Sequence, residues 1–258
     1  MKKKLVFLLI LVLLVSVTLG CDSSKKDPSV APDEEFTTMA FASDYFDGGF
    51  WKLQYPAESD SGGILEQTNL TGFENWYFYD SSGYIAFRVH CDRGGTSPNS
   101  SDRRSELRQT KNAGWTVSGT HSFTCRFKVY NVSLTEQTMM QIHDDPKLVS
   151  GSPNKPLLRI IAQGATLKAK YKTDKAGNNT STVTLKTGLT SGQFNTVKVT
   201  VSNGKLYVYV NDVVNSTLNG FNIGFWTWKN YWKAGVYSQD HTAGQDATIY
   251  FSSIGNPT

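Results

Sequence analysis

The sequence predicts an all-β domain of the sandwich or jelly-roll kind. Three observations carry that prediction. Short segments alternate apolar and polar residues with period two, Gly, Asn and Ser turns separate them, and no amphipathic helix of three turns interrupts them. Many short strands joined by tight turns pack as two sheets around one core.

The chain divides into three parts. Residues 1–20 read as an export signal: Lys2, Lys3 and Lys4 precede an apolar run from Leu5 to Leu19 that is short for a membrane span. Gly20-Cys21 followed by Asp22-Ser23-Ser24-Lys25-Lys26 is similar to a bacterial lipoprotein signal, which implies lipidation at Cys21 and a cell-surface or outer-membrane lipoprotein. Thr18 stands where that motif usually has leucine, so ordinary cleavage and secretion, or a retained anchor helix, stay open. Residues 21–40 form a polar linker with Pro28 and Pro32. Residues 41–258 form the remaining domain, a reasonable size for a single all-β unit.

Within that domain Tyr84–Val89 is the first clear alternating run and Ser122–Val129 the next. Thr196–Val201 and Leu206–Val210 flank Ser202-Asn203-Gly204-Lys205, and the Asn-Gly pair predicts a tight hairpin. Ala247–Phe251 closes the domain.

Charge excludes some partners. The chain has 26 basic and 22 acidic residues, and losing the three leader lysines leaves 23 against 22. Anion binding therefore has to come from local clusters, and nothing resembles a nucleic-acid module. No Cys/His cluster has metal-ligand spacing. With Cys21 set aside, Cys91 and Cys125 are an even pair in an exported chain, so a disulfide is expected, the alternative being two buried thiols.

Four stretches carry candidate chemistry. In Arg103–Gln109, period two places Arg104, Glu106 and Arg108 on one strand face, with the guanidiniums flanking a carboxylate at about 7 Å. Glu106 is expected to orient one arginine and leave the other for an anion. In Met139–His143, Gln141 and His143 share a face, offering an amide donor beside an imidazole. Lys168, Lys170 and Lys172 form a basic stripe suited to a linear polyanion or simply to solvent. In Tyr231–Gln239, Tyr231, Lys233, Gly235, Tyr237 and Gln239 share a face, and Gly235 is expected to let a ligand come close.

Together, Arg104-Ser105-Glu106-Leu107-Arg108, Gln141-Ile142-His143 and Tyr231-Trp232-Lys233-Ala234-Gly235-Val236-Tyr237-Ser238-Gln239 resemble polysaccharide lyase family seven, the alginate lyases. Trp51–Pro56 resembles that family's opening strand. Trp232 replaces the usual phenylalanine and Ser238 a common asparagine, both on the face away from the groove. The resemblance implies a jelly roll whose concave sheet forms an open cleft. It implies β-elimination on an acidic polysaccharide, without metal or organic cofactor. It places Arg104 and Gln141 on the substrate carboxylate, His143 and Tyr237 at the proton transfers, and Glu106, Arg108, Lys233 and Gln239 around them. Tyr231 and Lys170 are expected to line the same groove. Ile142 leans the preference toward guluronate-containing blocks, and a monomer is expected. A lyase of another polyuronate, such as glucuronan, and a non-catalytic carbohydrate-binding jelly roll are the competing readings.

The residues suit this chemistry on their own terms. Removing the C5 proton beside a carboxylate builds enolate charge, which donors on that carboxylate spread. A base takes the proton and an acid protonates the leaving oxygen. Imidazole suits the first task near neutral pH. A phenol suits the second, or both if Lys233 or Arg108 favours its ionised form. Two carboxylates at glycosidase spacing are not evident.

Overall fold

The computed structural model describes residues 41–258; the export signal, the linker and Cys21 lie outside the described residues. Two antiparallel sheets pack face to face. The eight-stranded sheet holds β1 (Trp51–Pro56), β2 (Ile64–Gln67), β5 (Arg103–Gln109), β7 (Gln137–Asp144), β8 (Pro156–Gln163), β9 (Thr166–Lys172), β10 (Thr180–Thr187) and β14 (Asn230–Ser238). The seven-stranded sheet holds β3 (Phe78–Asp80), β4 (Ile85–His90), β6 (Thr120–Val129), β11 (Asn195–Ser202), β12 (Lys205–Val210), β13 (Val213–Asn222) and β15 (Asp246–Ile254). This is the jelly-roll architecture expected.

The predicted alternation holds where one face meets the core and the other meets water. On β11, Val197, Val199 and Val201 are fully buried while Lys198 is exposed. The β11–β12 hairpin turns at Asn203 and Gly204, with φ of 50° and 73°, as a tight turn with two left-handed residues requires. Between the sheets, Trp51, Phe123, Trp115 and Trp232 form an aromatic cluster with ring centroids 5.1–5.4 Å apart. Burying each such side chain contributes roughly 1.5–3 kcal/mol.

β7 and β14 break the alternation, because nearly every residue on them is buried. They lie side by side at the centre of the eight-stranded sheet in the order β8-β7-β14-β5, with core beneath and a cleft above. Polar side chains on these strands are thus desolvated and need fixed partners.

The expected disulfide is absent: Cys91 and Cys125 are free, buried thiols. Both neighbour β15, but at opposite ends. The Cys91 amide donates to Gln245 O at 2.9 Å, just before β15, whereas Cys125 pairs with Ile254 at its far end. Nine residues of strand separate those points, about 30 Å, far beyond the roughly 7 Å limit between bridged Cα atoms. Burial pushes the Cys91 thiol up to about 11 and Cys125 well above its ordinary value. Unreduced, unfolded protein should therefore take up alkylating reagent at both residues, and a mass showing neither alkylated would contradict this arrangement.

Candidate active site

β14 sets the geometry. Tyr231 lies opposite His143 and Lys233 opposite Gln141 on one side; Lys233 lies opposite Arg108, Gly235 opposite Glu106 and Tyr237 opposite Arg104 on the other. The three sequence stretches therefore meet on one surface. Gly235 serves packing rather than ligand access, contrary to expectation. Its φ is +144°, and a Cβ there would stand 2.3 Å from Ser105 O and 2.7 Å from Glu106 Cα. It sits where β14 carries a bulge against β7.

Glu106 is the hub beneath the cleft. It is 1% exposed, accepts from Lys233 Nζ and, at 2.5 Å, from Gln141 Nε2, and lies 3.7 Å from Arg104 Nη1. Burial alone would raise its carboxyl, but Lys233 and then Arg104 outweigh burial and hold it below its ordinary value. Burial draws the Lys233 ammonium down to about 8, with Glu106 pulling the other way. Neither Glu106 nor Lys233 lines the cleft, so they support the floor rather than touch substrate. Glu106 takes one N–H of Gln141 and leaves the second for a ligand.

His143 and Tyr237 are each held by an aspartate. His143 Nδ1 donates to Asp144 O at 2.8 Å and lies 3.2 Å from Asp144 Oδ1, and the ring stacks on Tyr231 at 5.4 Å. With Nδ1 as donor, Nε2 keeps its lone pair as a base. Burial would raise Asp144, but the hydrogen bonds from His143 and Ser152 outweigh it and hold its carboxyl below the ordinary value. The Tyr237 hydroxyl donates to Asp102 Oδ2 at 2.6 Å and lies 2.8 Å from Ser100 Oγ. Burial first, then the Asp102 hydrogen bond, push this phenol up to about 12. The cation over its ring is Arg104, at 4.5 Å, whereas Arg108 sits over Tyr231 at 4.0 Å and pairs with Asp145 at 2.9 Å. The condition that Lys233 or Arg108 favour an ionised Tyr237 is not met by these contacts: Lys233 pairs with Glu106 and Arg108 with Asp145, while burial and then Asp102 favour the neutral phenol.

Arg104, Arg108, Gln141, His143, Lys170, Tyr231, Tyr237 and Gln239 all line one cleft of about 390 Å³. Lys170 pairs with Glu136, which also lies 3.1 Å from Arg159 Nη1; Arg159 donates to Gln239 Oε1 at 2.5 Å. Lys172 joins the lining, but Lys168 turns to Gln163, so the basic stripe is only partly in the cleft. Of the loops near the cleft, 144–154 contributes Asn154, while 221–230 contributes nothing and instead buries Trp226; Ser97, Asn99 and Ser100 line the wall. Sequence reasoning missed Asp102, Asp145, Glu136 and Arg159. The one signal available was Asp144-Asp145 directly after His143, which reads as a loop start.

The alginate lyase family profile matches residues 46–255. The chain belongs to the alginate lyase family. Among solved structures, alginate lyase A1-II' of polysaccharide lyase family 7 is 29% identical, with a TM-score of 0.72 over 85% of this chain and 98% of that one. An A1-II' form carrying one His→Asn and one Tyr→Phe substitution, in complex with substrate GGMG, is 28% identical, with a TM-score of 0.72 over 85% of this chain and 96% of that one. The alginate lyase from Corynebacterium sp., 22% identical, shares the fold at a TM-score of 0.69 over 84% of this chain and 97% of that one. No curated protein sequence matches the chain. As an alginate lyase, the protein breaks the 4-O-glycosidic bond by β-elimination. The C5–H pair becomes the C4=C5 double bond as the C4–O4 pair leaves with oxygen.

Proposed function

We propose that this alginate lyase acts on guluronate-containing blocks, with Arg104 and Gln141 on the substrate carboxylate, His143 taking the C5 proton and Tyr237 protonating the leaving O4. The observation that carries the preference is the 2.6 Å hydrogen bond from the Tyr237 hydroxyl to Asp102. In guluronate the C5 proton and O4 lie on opposite sides of the ring, which suits a separate base and acid. In mannuronate they lie on the same side, so one phenol has to act as both and must first ionise. A carboxylate hydrogen-bonded to that phenol opposes ionisation. The A1-II' complex with GGMG supports the substrate class. A monomer is part of the proposal. The leader supports export, and Cys21 tethering to a membrane by lipid is part of the proposal.

The test is kcat/KM on guluronate-rich, mannuronate-rich and glucuronan polymers for the wild type and Asp102→Asn. The wild type should favour guluronate-rich polymer over both others, and Asp102→Asn should narrow its gap to mannuronate. Faster wild-type cleavage of mannuronate-rich polymer would refute the preference, and faster cleavage of glucuronan the substrate.

A further inference from the structure

The outward face of the seven-stranded sheet, on the opposite side of the sandwich from the cleft, is strongly one-signed. The outward residues of β4, β6, β11 and β15 include Arg88, Arg126, Lys128 and Lys198 but one carboxylate, Asp246, which pairs with His90 at 2.7 Å. Among the described residues none of those four cations forms an ion pair. Each is instead held over an aromatic ring. Arg88 lies 3.8 Å from the Trp76 ring, Arg126 lies 4.3 Å from Phe194, Lys128 lies 4.1 Å from Tyr84, and Lys198 lies 5.8 Å from Tyr209. The cations lie on β11, β6 and β4, and β15 between the last two contributes Tyr250 opposite Lys128, so the group crosses four neighbouring strands in the order β11-β6-β15-β4, about 14 Å. Beside Lys128 is a hollow of about 300 Å³ whose walls include Ser82, Tyr84, Tyr130, Ser191 and Tyr250.

We propose that this face is a second, non-catalytic binding site for polyuronate chains. Cations interleaved with aromatic rings match a linear polymer in which every sugar carries a carboxylate and presents C–H faces that stack on rings. The hydroxyls around the hollow match sugar hydroxyls. The exposed rings beside these cations, Trp76 and Tyr130, carry N–H and O–H edges that suit a sugar, and the vesicle arm below tests a membrane instead. The two sites face away from each other across the core, so a short oligomer engages one at a time. A long chain or a gel engages both, and this raises the local concentration of cleavable polymer. The polymer's identity rests on the alginate lyase reading; the site's existence does not.

The test separates the two. In a Tyr237→Phe background, so that polymer survives, retention in an alginate-containing native gel is compared with that of the triple variant Arg88→Gln, Arg126→Gln, Lys128→Gln. A charge-keeping triple, Arg88→Lys, Arg126→Lys, Lys128→Arg, controls for packing, and phosphatidylglycerol vesicles form a separate arm. With Tyr237 intact, the glutamine triple should cleave short oligouronates at the wild-type rate. In the inactive background it should be retained about tenfold more weakly by polymer, the scale expected from losing three exposed charges, and the charge-keeping triple should bind normally. Unchanged retention, equal losses in both triples, or loss of vesicle binding alone would overturn the proposal. Absence of cleavage by the wild type would instead sink the catalytic reading and leave the retention result standing.

Discussion

Tyr237→Phe should lose turnover on every alginate block by at least about a hundredfold, and up to about ten-thousandfold, the usual range for removing a general acid or base. The variant deletes one hydroxyl and keeps the ring, so the Arg104 guanidinium 4.5 Å from its centre keeps its seat. Asp102 loses one donor but retains His241 Nε2 at 3.1 Å and Gln239 Nε2 at 3.4 Å. The fold should therefore stand, with a melting temperature close to that of the wild type, and polymer binding should persist. Initial rates of unsaturated-product formation, read alongside thermal unfolding, check this. Near-normal turnover by a folded variant would show that another group protonates O4.

His143→Ala should produce a selective loss. On guluronate the phenol stands on the leaving-group side and does not reach the C5 proton, so the full general-base contribution disappears, again about a hundred- to ten-thousandfold. On mannuronate, whatever rate the wild type shows comes from the phenol alone. The loss there should be at least about ten times smaller, a threshold taken from the same range. The Asp144 carboxylate is left without its imidazole partner but keeps Ser152 Oγ and the backbone amides of Asn154 and Lys155. Added imidazole should restore part of the guluronate rate, because the ring lines an open cleft. Equal losses on both blocks, without rescue, would show that His143 neutralises the substrate carboxylate rather than taking the proton.

Much of this site is legible in the sequence because it is written in strand periodicity. Arg104, Arg108, Gln141, His143, Tyr231 and Tyr237 alternate along three strands, with Gln239 just past the end of β14, and period two puts each set on one face. What periodicity does not carry is who meets whom across strands. Glu106 was expected to serve an arginine first, yet β14 brings Lys233 onto it, because Gly235 opposes Glu106 and Lys233 is its neighbour on the same face. Asp102 reaches Tyr237 from 135 residues away in sequence, at the mouth of β5 where no alternation marks it. The cysteines failed for the same reason: an even count says nothing about the length of β15 between them. In sequence, Gly235 looks like an opening for ligand, but its missing side chain makes room for β5 backbone.

The central claim is that this cleft eliminates rather than hydrolyses, and the products of one digest test it most directly. Wild-type protein acting on alginate, analysed by mass spectrometry with ultraviolet absorbance, should yield oligomers in which every newly made non-reducing end is one water lighter than in a hydrolysis product and carries a double bond conjugated to its carboxylate. Saturated oligomers at the full hydrolytic mass, without new ultraviolet absorbance, would contradict it.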